Sequence, residues 1–96
     1  MSLIATDNKS IVVGLGITGL SCVRYLKSKG HSVEVVDSRE NPPGLDSCSA
    51  EFPNVQVHCG SFDVDLLSSA AQLIVSPGVA ISEPAIKEAQ RRGVRV

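Results

Sequence analysis

With 96 residues the chain can build one modest hydrophobic core, and 43% hydrophobic against 20% charged residues is ordinary globular composition. A net charge of −1 and a pI near 6.0 exclude the basic excess that nucleic acid or an anionic membrane surface would call for, and the short apolar runs exclude a membrane-spanning helix. Cys22, Cys48 and Cys59 are odd in number and fit no CxxC spacing, which points to unpaired thiols in a reducing cytoplasm; the N-terminal Met1-Ser2-Leu3-Ile4-Ala5 lacks the character of a signal peptide.

Strand and helix patterns alternate along the chain. Residues 10–15 predict a short buried strand. Residues 18–29 predict a helix, with Gly19, Cys22, Val23 and Leu26 at i, i+3, i+4, i+7 and Gly30 placed to end it. Residues 32–37 read as a second strand, followed by a polar connection through Asn41-Pro42-Pro43-Gly44. A third strand over 55–59 and a brief helix over 63–71 come next, the helix opened by Asp63 and Asp65. A fourth strand follows over 72–76. Ser82 is placed to cap a last helix that has Glu83 and Pro84 in its first turn, runs to Arg92 and stops at Gly93.

Val94-Arg95-Val96 begins a fifth strand. A domain rarely ends inside a strand, so residues 1–96 are expected to be the N-terminal domain of a longer polypeptide. Alternating elements with right-handed crossovers predict an α/β fold: a doubly wound, Rossmann-like parallel sheet of about five strands with helices on both faces.

Gly14, Gly16 and Gly19 match G-x-G-x-x-G between a strand and a helix. In that setting the first glycine takes a tight turn, the second lets a diphosphate approach the main chain, and the third lets helix and strand pack closely. The amides of Leu15, Gly16, Ile17 and Thr18 would then face phosphate at the positive end of the helix dipole, with the Thr18 hydroxyl in addition. The alternative is a glycine turn required for packing alone.

Asp37 ends the second strand, where dinucleotide-binding domains place an acid on a ribose hydroxyl. It would repel the extra phosphate of NADP. Ser38 offers a donor and an acceptor, and the Arg39 guanidinium can lie flat on a base, so uracil and adenosine both remain open; a solvated turn is the plainer alternative. Ser76, Pro77 and Gly78 follow the fourth strand at the carboxyl edge of the sheet. They suit either a second phosphate or a simple Pro-Gly turn. His31 and His58 have no partners at useful spacing, and no metal cluster, nucleophile–base pair or G-x-x-x-x-G-K-[ST] loop is present, so neither catalysis nor a metal site is expected of these residues.

The ordered set Gly14-Leu15-Gly16-Ile17-Thr18-Gly19-Leu20-Ser21, Asp37-Ser38-Arg39, Pro42-Pro43-Gly44-Leu45 and Ser76-Pro77-Gly78-Val79 resembles the N-terminal domain of the D-glutamate-adding Mur ligases of bacterial peptidoglycan synthesis, across essentially all of residues 9–96. Ser38 stands where threonine is expected in many relatives. The resemblance implies a cytoplasmic, ATP-dependent amide-forming ligase as the parent, with ATP and Mg held by a central domain outside this chain and the amino acid by a C-terminal domain. It implies that this domain holds the UDP portion of UDP-N-acetylmuramoyl-L-alanine. Ile17 and Thr18 would contact the diphosphate or uridine region, Asp37, Ser38 and Arg39 the uracil, and Ser76 and Gly78 the diphosphate–sugar stretch. Two other functions fit the same pattern: an NAD-binding regulatory or dehydrogenase domain, and a ligand-free interaction domain.

Overall fold

The computed structural model describes residues 9–79 and 82–96. Four strands, β1 (Lys9–Val13), β2 (Ser32–Asp37), β3 (Gln56–Cys59) and β4 (Gln72–Val75), form one sheet in the order β3-β2-β1-β4, every pair parallel. Helices α1 (Ile17–Ser28), α2 (Leu45–Glu51), α3 (Val64–Ser68) and α4 (Pro84–Arg91) make the connections. Parallel neighbours need crossovers, and helices supply them while covering the sheet.

Alternation along β1 builds two cores. Ile11 and Val13 pack with Val36, with Leu67 of α3, and with Ala85, Ile86 and Ala89 of α4. Val12 points the other way, to Val33 and Val35, to Leu20, Val23 and Leu26 of α1, and to Cys48 of α2. Ile11, Val12, Val13, Val23, Val35 and Val36 are all fully buried. Each such side chain contributes about 1.5–3 kcal/mol of transfer free energy. A strand hydrophobic on both faces is what a sheet with helices on both sides requires.

The structure departs from the sequence expectations at four places. The sheet has four strands, not about five: Arg95 makes one parallel bridge to Gln72, and its carbonyl accepts from the Leu73 amide at 2.7 Å, but no fifth strand forms among the described residues. The polar connection after Asp37 contains α2, a short helix that buries Cys48. Its signal was the spacing of Leu45, Cys48 and Phe52, obscured by the prolines before it and the serines within it.

The helix expected over 63–71 is only Val64–Ser68. Asp63 is its cap, accepting from the amides of Asp65 and Leu66. Ser82 does not cap α4. Glu83 occupies that position with Pro84 after it, and no side chain bonds the free amides. Gly30 behaves as expected: at φ +79 it closes α1, its amide donating to Lys27 and the His31 amide to Leu26.

Candidate functional site: a cleft at the carboxyl edge of the sheet

Connections from β1 and β4 leave toward opposite faces of the sheet, which opens a crevice beyond their carboxyl ends. The cleft there is about 540 Å³. Of the twelve residues picked out by sequence, Gly14, Gly16, Ile17, Thr18, Gly19, Asp37, Ser38, Arg39, Ser76, Pro77 and Gly78 line it. Leu15 does not; its side chain is fully buried in the α1 core. Pro43 and Val79 line it too and were not chosen by sequence. Pro43 is brought in because Gly44 docks on the glycine turn, its amide donating to the Leu15 carbonyl at 2.9 Å.

The three motif glycines are required for different reasons. Gly14 sits at φ +95, and its amide donates to the Val36 carbonyl at 2.8 Å, which ties the turn to β2. A side chain there would also meet Val79 at 2.9 Å. A Cβ on Gly19 would fall 2.0 Å from the Gly14 carbonyl oxygen. A Cβ on Gly16 would meet nothing within 4 Å. The protein itself gives no reason for Gly16 to lack a side chain, because the space beside it belongs to the cleft.

As the first residues of α1, Ile17 and Thr18 have amides with no partner inside the helix. Among the described residues nothing accepts from them or from the Gly16 amide. No acidic side chain occupies that first turn. The Leu15 amide, expected to face a phosphate, is instead taken by Asp37 Oδ2 at 2.8 Å. The donor set open to a ligand therefore begins at Gly16.

Asp37 is 2% exposed, and both its oxygens are engaged within the protein. Oδ1 accepts from the Arg39 amide at 2.8 Å and from Arg39 Nε at 3.0 Å, while Oδ2 accepts from Leu15 and from Arg39 Nη2 at 2.7 Å. Burial alone would push this carboxyl up. The Arg39 guanidinium, then the amides of Leu15 and Arg39, outweigh it and hold Asp37 at about 2. With two bonds on each oxygen, the carboxylate has little acceptor capacity left for a sugar hydroxyl. It braces the wall, while Ser38 and the half-exposed Arg39 side chain form its surface.

Ser76 closes the other side. Its hydroxyl donates to the Gly14 carbonyl at 2.8 Å and is nearly buried. Ser76→Ala is expected to cost about 1 kcal/mol, a melting shift of roughly 4–8 °C; an unchanged melting temperature would show that this bond carries none of the turn's stability. Ile17, at the cleft mouth, is 85% exposed, the most exposed large apolar side chain among the described residues. Among those residues no group of three His, Cys, Asp or Glu side chains converges, and no helix is long and apolar enough to cross a membrane.

An all-parallel α/β sheet with a glycine turn and a cleft at its carboxyl edge is the class of architecture that the fold and the cleft define. The sequence specifies the family within it. Residues 8–96 match the family described as Mur ligase MurD-like, N-terminal domain, and the chain belongs to that family. The UDP-N-acetylmuramoylalanine–D-glutamate ligase of Marinobacter nauticus is 51% identical over 96 residues, a match covering 100% of this chain and 22% of that protein. The proteins of the same name from Pseudomonas aeruginosa and Pseudomonas fluorescens are also 51% identical, over 100% of this chain and 21% of theirs. The chain thus spans about a fifth of the length of these relatives.

Proposed function

We propose that this chain is the domain of a D-glutamate-adding Mur ligase that binds the UDP portion of UDP-N-acetylmuramoyl-L-alanine, and that it performs no chemistry alone. The observation that carries the reading is the open row of amides at Gly16, Ile17 and Thr18, beside a glycine whose missing Cβ only the cleft explains. Phosphate oxygens would accept from these amides and from the Thr18 hydroxyl. Uracil would lie against Arg39, whose guanidinium plane Asp37 holds in place, with Ser38 supplying the polar contact. Ser76, Pro77 and Gly78 would border the diphosphate and the first sugar.

In the parent ligase ATP activates a carboxylate for amide formation. No residue of this cleft suits that task, because its one carboxylate is held internally by four hydrogen bonds and the glycine turn is not a G-x-x-x-x-G-K-[ST] loop. ATP and Mg therefore belong to polypeptide outside these residues, and the chain's own part is to bind and orient the nucleotide end of the substrate. A cytoplasmic setting for peptidoglycan precursor synthesis fits free Cys22, Cys48 and Cys59. The Arg95 bridge to Gln72 fits the start of a fifth strand completing a doubly wound, Rossmann-like sheet.

An NAD-binding domain is disfavoured by Asp37. That function asks the acid to accept from a ribose hydroxyl, and its acceptor sites are filled. Calorimetry with UDP-N-acetylmuramoyl-L-alanine and with NADH tests the assignment. Binding of the first and not the second is expected, with Arg39→Ala weakening it about tenfold through loss of the stacked cation. Tighter binding of NADH would reverse the assignment.

A further inference from the structure

The connection from β2 to α2 meets the glycine turn at Pro42-Pro43-Gly44, where Gly44 alone carries a backbone N–H. That donor goes to the Leu15 carbonyl at 2.9 Å. The connection around it is stiff. Two prolines fix their own φ, the Leu45 amide closes a turn on the Pro42 carbonyl at 3.0 Å, and the Gly44 carbonyl accepts from Cys48 to begin α2. Gly44 is buried and sits at an ordinary φ of −88, so its lack of a side chain answers to space. A Cβ there would stand 3.0 Å from the Leu15 oxygen and 3.2 Å from the Gly16 oxygen.

A trans peptide points its C=O and its N–H in opposite directions. In the glycine turn the Gly14 amide bonds Val36, the Gly14 carbonyl accepts from Ser76, and the Leu15 amide bonds Asp37. The Leu15 carbonyl accepts from Gly44 and the Gly16 carbonyl from Leu20 of α1. From Gly14 to Gly16, only the Gly16 amide is left without a partner among the described residues. The amides of Ile17 and Thr18 are aimed by the helix they begin. The Gly16 amide is not: it belongs to the Leu15–Gly16 peptide, whose carbonyl Gly44 holds.

We infer that Gly44, which lies outside the glycine motif, is a positioning residue for phosphate: by fixing the Leu15 carbonyl toward α2, it turns the Gly16 N–H into the cleft. The inference rests on the UDP-binding reading above and deepens it. Without this bond the Leu15–Gly16 peptide is free to rotate next to a glycine, and a bound phosphate has to order it.

The test is titration of the 96-residue chain and of Gly44→Ala with uridine and with UMP, followed by backbone amide NMR. In wild type, UMP should move the Gly16, Ile17 and Thr18 amide protons downfield, and uridine should not. In Gly44→Ala, whose methyl group presses on the Leu15 and Gly16 carbonyls, the Gly16 shift should fall well below those of Ile17 and Thr18. The preference for UMP over uridine should drop about three- to tenfold, as loss of one bond to a charged acceptor requires. Amide exchange in wild type reads the same coupling without a variant. At equal occupancy both ligands stabilise the whole fold equally, so UMP should slow exchange at Gly44 by the larger factor.

A purely structural Gly44 would lower all three shifts together in Gly44→Ala and keep the UMP preference, and that result would overturn the inference. Equal slowing of Gly44 exchange by the two ligands would do the same, and it settles the matter if Gly44→Ala does not fold. UMP that moves Ile17 and Thr18 but not Gly16 in wild type would overturn the inference and leave the binding site standing. UMP that moves none of the three amides would overturn the site assignment, and the inference with it.

Discussion

Gly19→Ala is expected to destabilise the fold by about 3 kcal/mol or more, although it adds a single methyl group to a glycine on a helix. The added carbon would stand 2.0 Å from the Gly14 carbonyl oxygen and 3.1 Å from Ser76 Oγ. Neither neighbour can yield cheaply. The Gly14 carbonyl is held by the Ser76 hydroxyl, and the Gly14 amide is bonded to β2. Relief would demand that α1 lift from the sheet, uncovering Leu20, Val23 and Leu26. At some 4–8 °C per kcal/mol for a domain of this size, thermal unfolding should fall by more than about 10 °C. Gly16→Ala is the matched comparison. Its backbone is extended, with φ −99 and ψ −157, and its surroundings are empty. It should cost less than about 1 kcal/mol in melting experiments while weakening UDP binding. Equal melting of the two variants would refute the division of labour between these glycines.

Asp37→Ala should cost about 3 kcal/mol, because one side chain joins three segments and its loss leaves the buried Leu15 amide without an acceptor. The effect carries a pH signature. Asp37 titrates at about 2 in the folded chain against an ordinary 3.8, so the folded state binds this proton more weakly than the unfolded state does. Its contribution is therefore fully present above pH 4 and is lost as pH falls toward 2, an electrostatic part of roughly 2 kcal/mol. Urea unfolding of wild type and Asp37→Ala at a series of pH values should show a gap that is constant near neutrality and narrows below pH 4. A gap that stays constant down to pH 2 would mean that the carboxylate contributes as a shape and not as a charge. Wild-type stability for Asp37→Ala at neutral pH would refute the brace altogether.

The two variants separate roles that a motif merges. G-x-G-x-x-G names three glycines as one device, yet two of them answer to the protein's own packing and one to open space. Likewise the acid at the end of β2 matches a ligand-reading position, but here it organises the wall on which a ligand would rest.

Much of this arrangement was legible in the chain itself. The continuous apolar run Ile11–Val13, the glycine turn, the i, i+3, i+4, i+7 face of α1 and the acid at the tip of β2 specify strand, turn, helix and strand in order, because each is a local preference expressed within a few residues. Gly30 at its helix end and Asp63 before α3 are local in the same sense. What the local signals missed was settled by contacts distant in sequence. Helix α2 exists because Cys48 finds the α1 core and Gly44 the Leu15 carbonyl, and both partners lie more than twenty residues away. The Leu15 amide was assigned to a ligand because an amide's direction depends on what stands opposite it, and only folding brings Asp37 there. The sequence by itself determined which residues gather at the carboxyl edge. The tertiary structure alone decided which of their polar groups remain open, since a hydrogen bond between Leu15 and Asp37, or Ser76 and Gly14, depends on ångström-scale placement that periodicity does not encode.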